Sequence, residues 1–275
     1  MLVDFHMHSV YSDGIETPKE LLRHALDCNV SMIALTDHDE IDGIKALRTA
    51  QQELDPNETI KIINGCEFSA DYKDKSIHIL GYCFDENNKE LNEFITFFKR
   101  KREERVDEMI RRCNIEGYHI TKEDLIKQFP DTKAYGRPHI GKLLIDGEYA
   151  KDVNEVFRGI LRKDSPCYVP KVKVEVQHII DIIHKAGGFA VMAHPKLVSS
   201  DEYVLEMLDF DFDGIEVYHS KHNDIDVERY KALAKEHKLF ITGGSDYHGI
   251  PGKEPDNFGD YLVDGNDVSE FISLL

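Results

Sequence analysis

The chain has 275 residues, of which 41% are apolar and 31% charged, with a formal net charge of −18. This length and composition support a packed α/β domain with room for a smaller insertion and argue against disorder. The acidic balance excludes a surface built to grip long nucleic acid, and no apolar run approaches the roughly 20 residues of a membrane span. Met1-Leu2-Val3-Asp4-Phe5-His6 enters a strand directly, which leaves no room for a signal peptide. The cysteines (Cys28, Cys66, Cys83, Cys113, Cys167) are odd in number and contain no Cys-x-x-Cys pair. Reduced thiols in a cytoplasmic protein are therefore expected, not a disulfide framework or a zinc ribbon.

Apolar, β-rich runs predict strands near 3–5, 32–35, 61–63, 77–80, 189–192, 214–217 and 239–242. Helix-period segments at 18–28, 41–53, 91–115, 174–186, 201–208 and 227–237 fall between most of them. Thr17, Pro18 and Glu20 supply a cap, a first-turn proline and an early acid for the first helix. The alternation predicts a parallel sheet with crossover helices. From about 91 to 174 it breaks. Helical patterns at 121–129, 138–145 and 153–161 predict a small helical insertion over 105–172, a lid over the barrel mouth, with the barrel formed by 1–104 and 173–275.

Histidines and carboxylates gather where the strands stop. His6-x-His8 follows the first strand, and on an extended strand end both imidazoles face one side. Asp13 lies in a turn-like Tyr-Ser-Asp-Gly run, Asp37-His38-Asp39 follows the second strand, and Glu67 comes after the third. His194 follows the fifth strand, and Asp246 and His248 lie behind Gly243-Gly244, which permit a close-approach turn. His78 falls inside its strand. Strand tips converge in a closed barrel, so this placement predicts a metal cluster on a barrel rim built from His6, His8, Asp13, His38, Glu67, His78, His194, Asp246 and His248. Each group also has a plainer reading: buried polar pairs, an Asp-Gly turn, a helix cap at Asp37-His38-Asp39, or a solvated acid at Glu67. Tyr218-His219 also ends a strand, as a rim residue or a substrate neighbour, and is left outside the ligand set.

Taken together, these residues resemble the polymerase and histidinol phosphatase (PHP) superfamily of metal-dependent phosphoesterases over almost the whole chain. The resemblance implies a distorted (β/α)7 TIM-like barrel with a small helical insertion, and two to three divalent ions (manganese, zinc or iron). It implies one ion on His6, His8, Glu67 and Asp246, a second on Glu67, His78 and His194 with Glu67 bridging, and a third on Asp13, His38 and His248. Tyr135-Gly136-Arg137-Pro138-His139-Ile140 resembles a bacterial branch whose members are nucleoside 3′,5′-bisphosphate phosphatases or exonucleases on short 5′-phosphorylated RNA. Arg102 and Arg105 resemble that branch's Arg-x-x-Arg helix, with a solvated charge face as the plainer reading.

The implied reaction is hydrolysis of a nucleotide phosphate monoester by metal-activated hydroxide. Asp13, His38, Asp39 and His194 are the candidate catalytic residues, with Asp39 or His194 handling the leaving-group proton. Arg137, His139, Arg102 and Arg105 are the candidate phosphate clamp. The partner is a small phosphorylated substrate, nucleotide or short oligonucleotide, with no long nucleic acid and no membrane. A short-oligonucleotide exonuclease, a histidinol-phosphate phosphatase and a non-catalytic metal-holding module are the competing readings. No Gly-x-Gly-x-x-Gly, phosphate-loop or Gly-x-Ser-x-Gly motif points elsewhere.

Overall fold

The computed structural model describes residues 1–198 and 200–275. The chain forms two compact units, one of Met1–Ile95 with Lys173–Leu275 and one of Thr96–Val172. The first unit is an α/β barrel. Its strands are β1 (Leu2–Met7), β2 (Val30–Leu35), β3 (Lys61–Tyr72), β4 (Lys75–Tyr82), β5 (Phe189–Met192), β6 (Gly214–His219), β7 (Phe240–Gly244) and β8 (Val263–Asp264). They form one eight-stranded sheet in the order β7-β6-β5-β4-β3-β2-β1-β8. The segment after β7 brings the ends nearly together. Met7 bridges to Tyr247, the Asp246 N–H donates to the His6 carbonyl at 2.8 Å, and the His8 N–H donates to the Tyr247 carbonyl at 2.8 Å.

The helices are α1 (Pro18–Asp27), α2 (Asp42–Leu54), α3 (Lys89–Ile115), α4 (Lys122–Gln128), α5 (Arg137–Asp146), α6 (Val153–Arg158), α7 (Val176–Lys185), α8 (Asp201–Met207), α9 (Asp224–His237) and α10 (Ser269–Leu274). Helix α1 starts where the sequence places it. Thr17 accepts from the Glu20 N–H, Glu20 reaches back to the Thr17 N–H, and Pro18 occupies the first turn. Its Leu21, Leu22 and Ala25 are buried on the core side. An aromatic group anchors the barrel: Phe5 meets Phe271 edge-on at 5.2 Å, and the buried Tyr82 hydroxyl donates to the Phe5 carbonyl at 2.7 Å.

All seven expected strands form, with the two-residue β8 added antiparallel to β1. The expectation of an all-parallel sheet needs correction, because β4 runs antiparallel to both β3 and β5. Lys73 and Asp74 adopt φ of 49° and 64° between the paired Tyr72 and Lys75. Two consecutive left-handed residues make the primed two-residue turn that matches strand twist, so the chain reverses at once without a crossover helix. Strand β3 also extends well beyond its expected end, which places Glu67 inside it. Directly opposed residues of an antiparallel pair share a face. The pairs Glu67–Leu80 and Ser69–His78 therefore put Glu67 and His78 on one face, and this accounts for His78 lying mid-strand.

Among the described residues the second unit is helical, and α3 carries the boundary between the units without any turn signal. Its core includes Met109, Cys113, Leu125, Ile140, Leu144, Val156 and Leu161.

Gly244 seals the junction of β7 with β1. A Cβ there would lie 2.4 Å from both the Cβ and the N of His6. Gly244→Ala is expected to destabilise the protein by about 1–3 kcal/mol, as overpacking does, read as a lower urea midpoint. An unchanged midpoint would show that β1 and β7 can separate freely.

Candidate metal centre

Asp4 and His6 alternate along β1, His8 follows its end, and His6 and His8 both face Glu67 at 0% exposure. His6 Nε2 lies 3.4 Å from Glu67 Oε2 and 3.6 Å from Asp246 Oδ1, and His8 Nε2 lies 3.2 Å from each of the same oxygens. Ligands at about 2.0–2.1 Å from one ion in tetrahedral geometry stand about 3.3–3.4 Å apart. The spacing of this first group matches that figure.

A second group uses the other Glu67 oxygen. Oε1 is 2.9 Å from His78 Nδ1 and 2.9 Å from His194 Nε2, which are 3.3 Å from each other. A third gathers on Asp13: His248 Nε2 is 3.2 Å from Oδ1, His8 Nδ1 is 3.8 Å from Oδ1, and His38 Nε2 is 3.9 Å from Oδ2. The other ring nitrogen of His38 is 3.1 Å from Glu67 Oε2, so His38 stands between the first and third groups. The structure thus brings together all nine expected ligand residues.

The donor set fits divalent cations. His6 Nε2, His8 Nε2, His248 Nε2 and Glu67 Oε2 are buried without a hydrogen-bond partner. Buried polar atoms are nearly always paired, so several converging unpaired ones point to an ion. Nitrogen and oxygen donors suit zinc, manganese or iron.

An outer layer orients these ligands. Glu216 Oε1 is 2.8 Å from His6 Nδ1, which makes Nδ1 the protonated nitrogen and leaves the Nε2 lone pair aimed at the cluster. The second Glu216 oxygen accepts from the His194 backbone N–H at 2.7 Å. His248 Nδ1–H donates to the Asp246 carbonyl at 2.8 Å, again freeing Nε2. Asp37 accepts from the Ser9 N–H, the Ser9 hydroxyl and the Ser12 hydroxyl at 2.6–2.7 Å, tying the Asp13 loop to the end of β2. Asp4 does the same for the last loop, accepting from the Ser245 N–H at 2.9 Å and hydroxyl at 2.6 Å. The plainer helix-cap reading of residues 37–39 is not realised, since Ile41 precedes α2 and makes no side-chain cap bond. His194 and Asp246 have φ of 24° and 57°. Two non-glycine members of the cluster with positive φ mark backbone strain there, where it commonly collects.

Charge balance follows from burial. Burial alone would push Glu67 up, but His38, His78 and His6 hold it well below the usual carboxylate range. Asp13 is likewise held down by His248 and His38 against burial, and Asp246 by His219 and His8. Burial would push His8 down, but Asp246 and Glu67 carry it up to about 9. His38 moves the other way, since burial outweighs Glu67 and Asp13.

The remaining expected residues sit as follows. Asp39 borders the cluster, and its oxygens accept from the Ser69 N–H at 2.7 Å and hydroxyl at 2.9 Å. In the second unit, the Arg137 guanidinium lies 4.6 Å from the Phe157 ring centre and 5.8 Å from that of Tyr168. Arg105 faces Tyr168 at 5.9 Å and donates to the Val169 carbonyl at 2.7 Å. Burial lowers the pKa of Arg105, and the positive charges of Arg137 and Arg102 lower it further. Arg105 and Arg137 therefore lie against aromatic faces, with the charge of Arg102 close to Arg105. His139 serves its own helix: Nδ1 accepts from the Gly136 N–H at 3.0 Å and the ring packs on Phe129.

Sequence reasoning missed Glu216 and set His219 aside, yet both are 0% exposed beside His6. The available signal was a carboxylate between Ile215 and Val217 in an apolar strand, where an unpaired charge would be costly.

The PHP domain matches residues 4–189. The chain belongs to the PHP domain family. A 3′,5′-nucleoside bisphosphate phosphatase of Chromobacterium violaceum is 29% identical over 91% of this chain and 88% of its own length. The 5′-3′ exoribonuclease Rnm of Escherichia coli is 28% identical over 90% of this chain and 85% of its own. The crystal structure of a Bifidobacterium adolescentis protein assigned as a metal-dependent phosphoesterase superposes with a TM-score of 0.83 at 29% identity, covering 98% of this chain and 95% of that one. This PHP protein is accordingly an enzyme, a metal-dependent phosphoesterase, and no helix among its described residues is long and apolar enough to cross a membrane.

Metal uptake is expected to release protons. His8 keeps its proton up to about pH 9 on the protein's own charges, and a ligating imidazole must be neutral. Metal affinity should therefore rise with pH between 7 and 9. Calorimetry in buffers of different ionisation enthalpy would read the released protons, and zero release at pH 7 would contradict this charge balance.

Proposed function

We propose that this PHP enzyme hydrolyses phosphate monoesters of nucleotides, with nucleoside 3′,5′-bisphosphates as its preferred class. The observation that carries this reading is the two-sided use of Glu67, whose oxygens each face a separate group of imidazoles 2.9–3.4 Å away. We assign His6, His8, Glu67 and Asp246 to the first ion, Glu67, His78 and His194 to the second, and Asp13, His38 and His248 to the third. When bound, divalent ions lower the pKa of water and offset charge developing on phosphoryl oxygens.

The protein's own groups do the rest. Arg137 and Arg105 bind a substrate phosphate, with Phe157 and Tyr168 fixing the guanidinium planes. Arg102 adds positive charge, and His139 acts indirectly by anchoring the start of α5. Of the two groups considered for the leaving-group proton, Asp39 is engaged with Ser69 through both oxygens and His194 is taken up as a ligand of the second ion, so neither is assigned that step. The name of the C. violaceum relative supports the bisphosphate class. The nearly equal likeness to an exoribonuclease supports a second reading, action on short 5′-phosphorylated oligonucleotides. The net charge of −18 disfavours long ones.

Phosphate release should be fastest from nucleoside 3′,5′-bisphosphates, fall with each nucleotide added, and stop with chelator. A rate that climbs with oligonucleotide length would transfer the assignment to the exonuclease reading. Asp13→Asn and His248→Ala should each lower kcat by about 100-fold or more with unchanged thermal midpoints. Near-normal turnover in either variant would remove the third group from the chemistry. Arg137→Ala should raise KM by about 10- to 100-fold, the loss of one charge-assisted contact, and should leave bound metal unaltered. A KM within twofold of the parent would take Arg137 out of substrate binding.

A further inference from the structure

Strand β6 contains an irregularity that serves the metal cluster. Its pairing with β7 steps from Glu216–Thr242 to Tyr218–Gly243, so Val217 is an extra residue on the β6 side. In a regular strand, residues three apart face opposite sides. The bulge at Val217 cancels that alternation, and Glu216 and His219 both turn inward at 0% exposure. Tyr218, between them, turns out and packs under Lys231 at 5.3 Å. The Val217 carbonyl displaced by the bulge accepts from His222 Nδ1–H at 2.7 Å.

The His219 ring is then fixed in one tautomer. The Lys221 backbone N–H donates to His219 Nδ1 at 3.0 Å, so Nδ1 is the acceptor and Nε2 carries the hydrogen. Nε2 is buried, has no hydrogen-bond partner, and lies 3.6 Å from Asp246 Oδ2. The other Asp246 oxygen is the one that stands 3.2 Å from His8 Nε2 and 3.6 Å from His6 Nε2. Asp246 is thus placed between two demands, with Oδ1 toward the first ligand group and Oδ2 toward a fixed N–H.

We propose that His219 is a positioning residue for the metal centre: its Nε2–H, facing Asp246 Oδ2 at 3.6 Å, attracts that oxygen and so keeps Oδ1 directed at the ion shared with His6, His8 and Glu67. The β6 bulge, closed by His222, is what makes this possible. The proposal rests on Asp246 being a ligand in that first group. It is distinct from Glu216, which acts on His6 from the opposite ring nitrogen.

Chelator competition with zinc and with manganese on the purified full chain tests it, together with metal counting and melting curves. His219→Asn keeps an acceptor where Nδ1 stood, and with it the Lys221 bond, but loses the Nε2–H. His219→Gln restores a donor near the Nε2 position. His219→Asn should weaken one metal equivalent by about 10- to 100-fold, the usual effect of removing an outer-layer partner, and His219→Gln should recover most of that loss. Asp246→Asn serves as the reference and should weaken the same equivalent at least as much. If His219→Asn binds every ion like the parent while Asp246→Asn does not, the His219 role is wrong and the ligand assignment stands. If Asp246→Asn also binds every ion like the parent, the ligand assignment itself fails. If His219→Gln is as weak as His219→Asn, the Nε2–H is not the operative group. If His219→Asn does not fold, the ratio of metal affinities between His219→Gln and the parent decides, with a ratio within threefold supporting the proposal and a larger loss overturning it.

Discussion

Glu67 is 1% exposed, and its two oxygens lie within 3.4 Å of ring nitrogens from five imidazoles, those of His6, His8, His38, His78 and His194. A carboxylate taken out of water at that depth is strongly destabilising unless positive charge surrounds it. The raised His6, His8 and His194 supply part of it here, and a bound cation would supply the rest. The barrel follows from this requirement, since imidazoles from the first, fourth and fifth strands and from the loop after the second can reach one carboxylate only if those chain segments converge. The near-closure between β1 and the segment after β7 completes the ring by adding Asp246 and His248.

Around this charge stands a second tier of buried acids: Asp4, Asp37, Asp39 and Glu216, each accepting at least two hydrogen bonds. Their partners are chiefly serines and backbone N–H groups at the strand ends. They convert loop positions into fixed ones, which is what a metal site requires of the groups around it. Burial carries Asp4 up to about 6 despite its bonds to Ser245 and His6. Positive φ at His194 and Asp246 belongs to the same economy of position, since the surrounding bonds keep strained residues where relaxed ones would point away.

The two units divide the chemistry differently. The barrel unit carries imidazoles and carboxylates, a donor set for cations. The helical unit carries Arg105 and Arg137 against Phe157 and Tyr168, guanidinium groups on aromatic faces.

The groups that converge were legible in the sequence because the pattern is local: each of His6, His8, His38, His194, Asp246 and His248 follows closely on an apolar run, and period-two and period-3.6 patterns mark such runs without any knowledge of tertiary contacts. The helix starts were legible for the same reason, as at Thr17 and Thr121, where cap and partner are three residues apart. Three features were settled by the tertiary structure. The reversal of β4 depends on two left-handed residues at Lys73 and Asp74, neither of them a glycine or asparagine that would announce such a turn. The split of Glu67 between two imidazole groups depends on strand pairing across residues far apart in the chain. The inward turn of His219 depends on one extra residue in β6, which is defined only against β7. Composition and spacing determine which groups can bind a cation; how strands pair and where they slip determines which nitrogen meets which oxygen, because that register is an energy shared between segments and written in neither alone.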